Sequence, residues 1–140
     1  NAIAIPIFGS LSDRFGRRAV YGAGAALGVV WAFAFFPLLD TQSAFAIGCA
    51  LVGALLIHAM MYGPQAAFIA EQFPTRVRYA GSSLAYTLAG IIGGGTAPAV
   101  FATLYKIYGT TTAVALYTAI ALLITGGVLM VPHQRSARGL

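Results

Sequence analysis

The chain is 140 residues long, 59% hydrophobic and 8% charged, with a formal net charge of +5 and a mean hydropathy of +0.84. A soluble domain carries about 25% charged residues, and a globule this short of polar groups would expose apolar patches and aggregate. The composition therefore excludes an ordinary water-soluble domain and places the chain among all-α integral membrane proteins, with the lipid bilayer as its first partner. The eight Lys and Arg residues form no continuous basic face, so the positive balance is not a nucleic-acid signal. They fall in short clusters between apolar runs, as in the loops of membrane proteins.

In chain order, "NAIAIPIF" comes first. It is too short to span a bilayer and has neither the basic start nor the cleavage site of a signal peptide. Together with a first residue that is not Met, it reads as the tail of a helix, over 1–9, in a fragment of a longer protein. A spanning helix needs about 20 mostly apolar residues. Four stretches qualify, 19–39, 44–69, 80–104 and 111–131, separated by "DTQS", "EQFPTRVRY" and "YKIYGTT" and followed by "PHQRSARGL".

Four alternating spans put the loop with Arg14, Arg17 and Arg18, the loop with Arg76 and Arg78, and the tail with Arg135 and Arg138 on one side. Seven of the eight cationic side chains thus share a face, and Lys106 stands alone on the other. Short loops rich in Lys and Arg stay in the cytoplasm, which makes this face, and the C-terminus with it, cytoplasmic in a multi-pass protein of the cell (plasma or inner) membrane. Tyr105 and Tyr108 flank Lys106 as interfacial anchors.

"GAGAALG" at 22–28 imitates a dinucleotide fingerprint, but that motif works only in a turn between a strand and a helix; here it lies inside an apolar span. Gly24 with Gly28, and Gly90 with Gly94, are instead spaced for close helix packing. Two spans are expected to bend, at Gly63 and Pro64 and again at Gly94 and Pro98, because proline removes a backbone donor and crowds the preceding turn. A carbonyl freed in this way must find a partner or line a cavity. Cys49 lies in an apolar run and reads as a small core residue. No metal cluster, catalytic triad or phosphate loop is evident, so neither a cofactor nor an enzyme is expected.

"GSLSDRFGRR" at 9–18 holds four of the eleven charged residues. It reads as a tight turn in which Gly9 and Gly16 supply backbone freedom, Asp13 accepts from a helix N-terminus and the arginines offer forked donors. The stretch resembles the G-x-L-[SA]-D-R-x-G-R-R signature of major facilitator superfamily transporters. "EQFPTRVRYAG" at 71–81 is similar to the E-x-F-P-T-x-x-R-x-x-G loop of the same superfamily. "SSLAYTLAGIIGGGTAPAV" at 82–100 resembles the metabolite:proton symporter branch, whose members carry shikimate, oxoglutarate, citrate, proline or betaine. Relatives often have Pro after the paired arginines, where Ala19 stands here.

The resemblance implies the C-terminal half of a twelve-helix fold over 1–140, from the end of the eighth helix to the twelfth, with the N-terminal half as its missing partner. It also implies a cytoplasmic gate network of Asp13, Arg14, Arg17 and Arg18 with Glu71 and Arg78. His58 is the one ionisable side chain well inside a span; a charge there costs about 2.5–3.5 kcal/mol on insertion scales, and histidine changes charge near neutral pH. Tyr62 and Gln65 follow it at i+4 and i+7 on the same helical face. Since the resemblance makes this the cavity-lining tenth helix, His58, Tyr62 and Gln65, with Tyr86 from the next span, are candidate contacts for substrate and proton; a histidine merely hydrogen-bonded between helices is the alternative. The last span reads as peripheral scaffold and His133 as a solvated tail residue. The function expected is proton-coupled symport of a small organic acid or zwitterion. A uniporter, a proton-driven exporter, and a non-transporting oligomeric or channel subunit are the rival readings.

Overall fold

The computed structural model describes residues 1–131. Arg135, Arg138, His133 and the sidedness of the C-terminus therefore lie outside the described residues. The chain is all helical there, with six α-helices: α1 (Ala4–Phe15), α2 (Arg17–Asp40), α3 (Ala44–Glu71), α4 (Arg78–Ala89), α5 (Gly95–Tyr108) and α6 (Thr111–Met130). A single π-helical turn, Gly90–Gly94, joins α4 to α5, so that Arg78–Tyr108 forms one span of 31 residues. Together with α2, α3 and α6 this makes four helices long and apolar enough to cross a membrane.

The first break differs from the turn expected over 9–18. Helix α1 runs straight through "GSLSD" to Phe15, and the whole interruption is Gly16, at φ 93° and ψ 131°. That positive φ is open to glycine at little cost. Gly9 is mid-helix and breaks nothing; α1 meets α3 there because Gly63 of α3 has no side chain. A Cβ on Gly63 would stand 2.8 Å from the backbone nitrogen of Gly9 and from the carbonyl oxygen of Ile5. Asp13 also departs from expectation. It makes no cap at the start of α2 but accepts a hydrogen bond from Arg17 Nη2 at 3.1 Å.

The turn between α2 and α3 is built from side chains. Thr41 Oγ1 donates to Leu38 O at 2.7 Å and accepts from the Ser43 amide at 3.4 Å. Gln42 takes the left-handed conformation at φ 53°. The opposite kind of turn follows α5, where Gly109 at φ 63° donates its amide to Tyr105 O.

Packing is centred on α2, which lies against α3 and α6. Gly24 and Gly28 do what their spacing suggests: a Cβ on Gly24 would meet Met61 of α3 at 2.8 Å, and one on Gly28 would meet Leu122 of α6 at 2.8 Å. Small residues thus let dispersion hold the helices, since lipid offers no hydrophobic drive between them. The second pair behaves otherwise, because nothing lies within 4 Å of a Cβ on Gly90 or Gly94. Those glycines allow the π turn and hold no helix against them among the described residues. Cys49 is likewise exposed rather than in the core.

The expected hinges separate in the same way. Gly63 and Pro64 lie inside one uninterrupted α-helix, with Pro64 fully buried. Gly94 ends the π turn, and Pro98 follows four residues later within α5. A proline at that position cannot donate to the carbonyl of Gly94, which favours local irregularity in the ladder. The span consequently changes partners along its length: α4 packs on α3, whereas α5 packs on α6. A wedge opens between α3 and α5.

Candidate functional site: a cavity beside α3 and an ion bridge at the arginine end

The wedge is a cavity of about 480 Å³. His58, Tyr62 and Gln65 line it together, so the helical spacing that grouped them carries over into three dimensions. The His58 and Tyr62 rings stack, with centroids 5.2 Å apart and planes 19° from parallel. The His58 Nδ1 also lies 3.3 Å from Asn1 Nδ2; an amide nitrogen only donates, so Nδ1 is the acceptor in that contact. Tyr86 is half-buried on α4 and is not among the lining side chains. The structure therefore brings together three of the four candidates and leaves the fourth outside.

The rest of the wall is aromatic. Tyr21, Trp31, Phe35 and Phe36 come from α2 and Phe101 from α5. Trp31 is fixed at one edge by its indole N–H, which donates to Ala50 O at 3.2 Å, and its ring lies over Gly53, where a Cβ would stand 2.1 Å from it. Phe101 is held edge-on by Tyr117 at 5.7 Å. Among the described residues, no Lys, Arg, Asp or Glu lines the cavity. Helix α6 is more than scaffold: Thr118 and Leu122 complete the wall, with the Thr118 hydroxyl donating to Val114 O at 2.9 Å.

At one end of the bundle, Arg17 joins three helices. Its guanidinium pairs with Asp13 near the end of α1 and with Glu71, the last residue of α3. The other expected members of this network go elsewhere. Arg18 Nη1 donates to Val131 O at 3.3 Å and the guanidinium lies 5.8 Å from the centre of the Phe68 ring. Arg78 Nε donates to Phe73 O at 3.4 Å within its own loop. Arg14 lies in the last turn of α1, a favourable position for a cation near a helix C-terminus, and makes no ion pair among the described residues. The network is thus a three-member bridge with arginine-to-carbonyl contacts around it. These contacts bring the start of α2 and the ends of α3 and α6 to the same end of the molecule.

The sequence profile of the Major Facilitator Superfamily matches residues 1–139. The chain belongs to that superfamily. It is 35% identical over 140 residues to the shikimate transporter of Escherichia coli K12, a match covering 97% of this chain and 32% of that protein. It is 36% identical over 133 residues to the inner membrane metabolite transport protein YhjE of the same organism, covering 94% and 30% of the two chains. The citrate-proton symporter of Klebsiella pneumoniae is 34% identical over 110 residues, covering 78% of this chain and 25% of that one. The chain spans about a third of the length of the first two relatives. No solved structure matches it.

The wall of the cavity is what sequence reasoning missed. Tyr21, Trp31, Phe101 and Thr118 sit on three different helices. A 3.6-residue period shows which residues share a face of one helix; it carries no information about which faces of separate helices converge. Asn1 was missed because it opens an apolar stub whose partner helix lies nearly sixty residues away.

Proposed function

We propose that this chain is the C-terminal portion of a twelve-helix major facilitator transporter in the inner membrane, running from the end of the eighth helix to the twelfth. Its missing partner is the N-terminal half of the same protein, and it carries a small organic acid or zwitterion together with a proton. The observation that carries this reading is the convergence of His58, Tyr62 and Gln65 on one cavity inside a bundle of spanning helices. Transport would proceed by rocking of two halves about a site near the midplane.

His58 is the proton carrier in this reading. Nδ1 accepts from the Asn1 amide nitrogen. Protonation would make both ring nitrogens donors, which would let the ring donate to a substrate anion. The uncharged aromatic wall suits an apolar ring or an ammonium group, which aromatic faces attract. A substrate carboxylate would be met by His58 when protonated or by the other half. Arg17, with Asp13 and Glu71, would serve as the cytoplasmic gate. Arg18 and Arg78 would brace neighbouring segments through the carbonyls they bond, and Arg14 would lie beside the bridge. Tyr86 would contribute from outside the cavity, toward the other half. The π turn ending at Gly94, with Pro98, would supply the bend and the close approach of Gly63 the pivot, Pro64 packing beside it.

The test is uptake by the native-length protein in liposomes, across a panel of carboxylic acids and betaines. A pH gradient should drive accumulation of one class. His58→Gln should abolish that accumulation while leaving exchange of labelled for unlabelled substrate intact. Exchange without pH-driven accumulation in the unaltered protein overturns the proton coupling, and steady single-channel current overturns the transporter reading altogether. The 140-residue chain alone should move nothing.

A further inference from the structure

A second concavity, of about 600 Å³, lies along the seam between α2 and α6, with Leu122 dividing it from the aromatic cavity. Its walls are Gly22 and Val29 from α2 and Leu122, Gly126 and Met130 from α6, and its one charged lining residue is Arg18. No element of the described chain covers it. From Arg18 to Val29 the groove follows eleven residues of α2, or about 16 Å at 1.5 Å per residue. That is about half of the ~30 Å hydrocarbon thickness of a bilayer. The groove is one leaflet deep, apolar along its length, and headed by a cation at the arginine end.

We propose that this groove is a binding site for an anionic phospholipid of the leaflet at the arginine end. One acyl chain lies along the glycines and the headgroup phosphate pairs with Arg18. Charge decides for a lipid over a further protein helix. A helix laid in the seam would leave Arg18 facing its apolar flank, whereas a phosphate accepts forked donors from a guanidinium. Arg18 has five N–H groups, of which Nη1 serves Val131, so donors remain for a headgroup without breaking that contact. The glycines make the groove. A Cβ on Gly22, Gly126 or Gly127 would meet nothing within 4 Å, so their lack of side chains is not required by packing inside the chain. The space they leave suits a flexible hydrocarbon chain.

The site is independent of the transport reading and is tested without it. The native-length protein is extracted in mild detergent, and its retention of phosphatidylglycerol is compared with that of phosphatidylcholine carrying the same acyl chains, by native mass spectrometry. One phosphatidylglycerol should be retained in preference. Arg18→Gln should lower that retention at least tenfold and Arg18→Lys should largely preserve it. Gly126→Leu fills the groove without a backbone clash and should lower retention of the lipid while the protein stays folded. Equal retention of both lipids, or retention unchanged by Arg18→Gln and Gly126→Leu alike, overturns the proposal. So does cross-linking of a Gly126→Cys variant to another protein segment in place of lipid.

Discussion

Gly63 of α3 meets Gly9 of α1 backbone to backbone, and the contact is asymmetric. A Cβ on Gly63 would stand 2.8 Å from Gly9 N, whereas a Cβ on Gly9 would lie 3.7 Å from Gly63 O, an ordinary contact distance. The atoms around Gly63 belong to the backbone of another helix and cannot swing away. Gly63→Ala should therefore destabilise the protein by about 1–3 kcal/mol, as overpacking does, outweighing the ~1 kcal/mol that alanine gains over glycine in a helix. Gly9→Ala should be neutral or slightly stabilising. Thermal unfolding of the two variants in detergent checks this; equal effects would mean that the helices do not cross there.

Trp31 and Gly53 form a second tight pair, and Trp31 is the chain's single tryptophan. Because its indole is fixed by Ala50 O, Gly53→Ala should push the ring off that carbonyl and shift its fluorescence. Trp31→Leu should relieve the stability loss caused by Gly53→Ala. An unchanged emission spectrum in Gly53→Ala would count against the contact.

The position of Trp31 in the wall of the cavity makes it a reporter of occupancy. Addition of a transported substrate should quench or shift its emission in a saturable manner in a native-length protein whose tryptophans outside this stretch are replaced. His58→Gln should alter the pH dependence of that titration and leave the signal itself in place.

Arg17 bridges Asp13 and Glu71 at the surface, with both carboxylates more than half exposed. Pairs of this kind contribute about 0–1 kcal/mol each. Arg17→Ala should thus lower stability by no more than about 1–2 kcal/mol. A gate role demands a further effect, a shift of the balance between inward- and outward-facing states. In a Cys49→Ser background, alkylation of a His58→Cys variant by a membrane-impermeant reagent should become faster from the arginine side when Arg17 is replaced. Unchanged labelling rates from both sides would leave the bridge a purely structural tie.

The π turn at Gly90–Gly94 holds one residue more than a regular α-helical turn would need. Deleting Gly93, beside which nothing lies within 4 Å of a Cβ, should restore a continuous α-helix. Because a π turn absorbs its extra residue by under-rotating, α5 should keep nearly the same face toward the cavity, with Phe101 still in its wall. What is lost is the local irregularity, so transport should slow while the protein still inserts, folds and binds substrate. Full activity in the deletion variant would falsify a role for the π turn as a bend in transport.

The sequence by itself determined the membrane class, the spans to within a few residues, and the grouping of His58, Tyr62 and Gln65. Each of these follows from local physics: a bilayer rejects charge and unpaired backbone, and an α-helix repeats every 3.6 residues. The motif stretch 9–18 was legible as a charged junction, but not its geometry. Nothing local says that Gly16 alone breaks the helix while Gly9 stays inside it, because both glycines are equally permissive in isolation. Likewise Gly24 and Gly28 follow the same spacing as Gly90 and Gly94, yet one pair is packed and the other open. Which glycine face meets a helix, which arginine reaches a carboxylate rather than a carbonyl, and which aromatics share a cavity were decided only by the tertiary structure. Those outcomes depend on how separate helices converge, and in a bilayer helices pair by shape rather than by any preference for leaving their solvent.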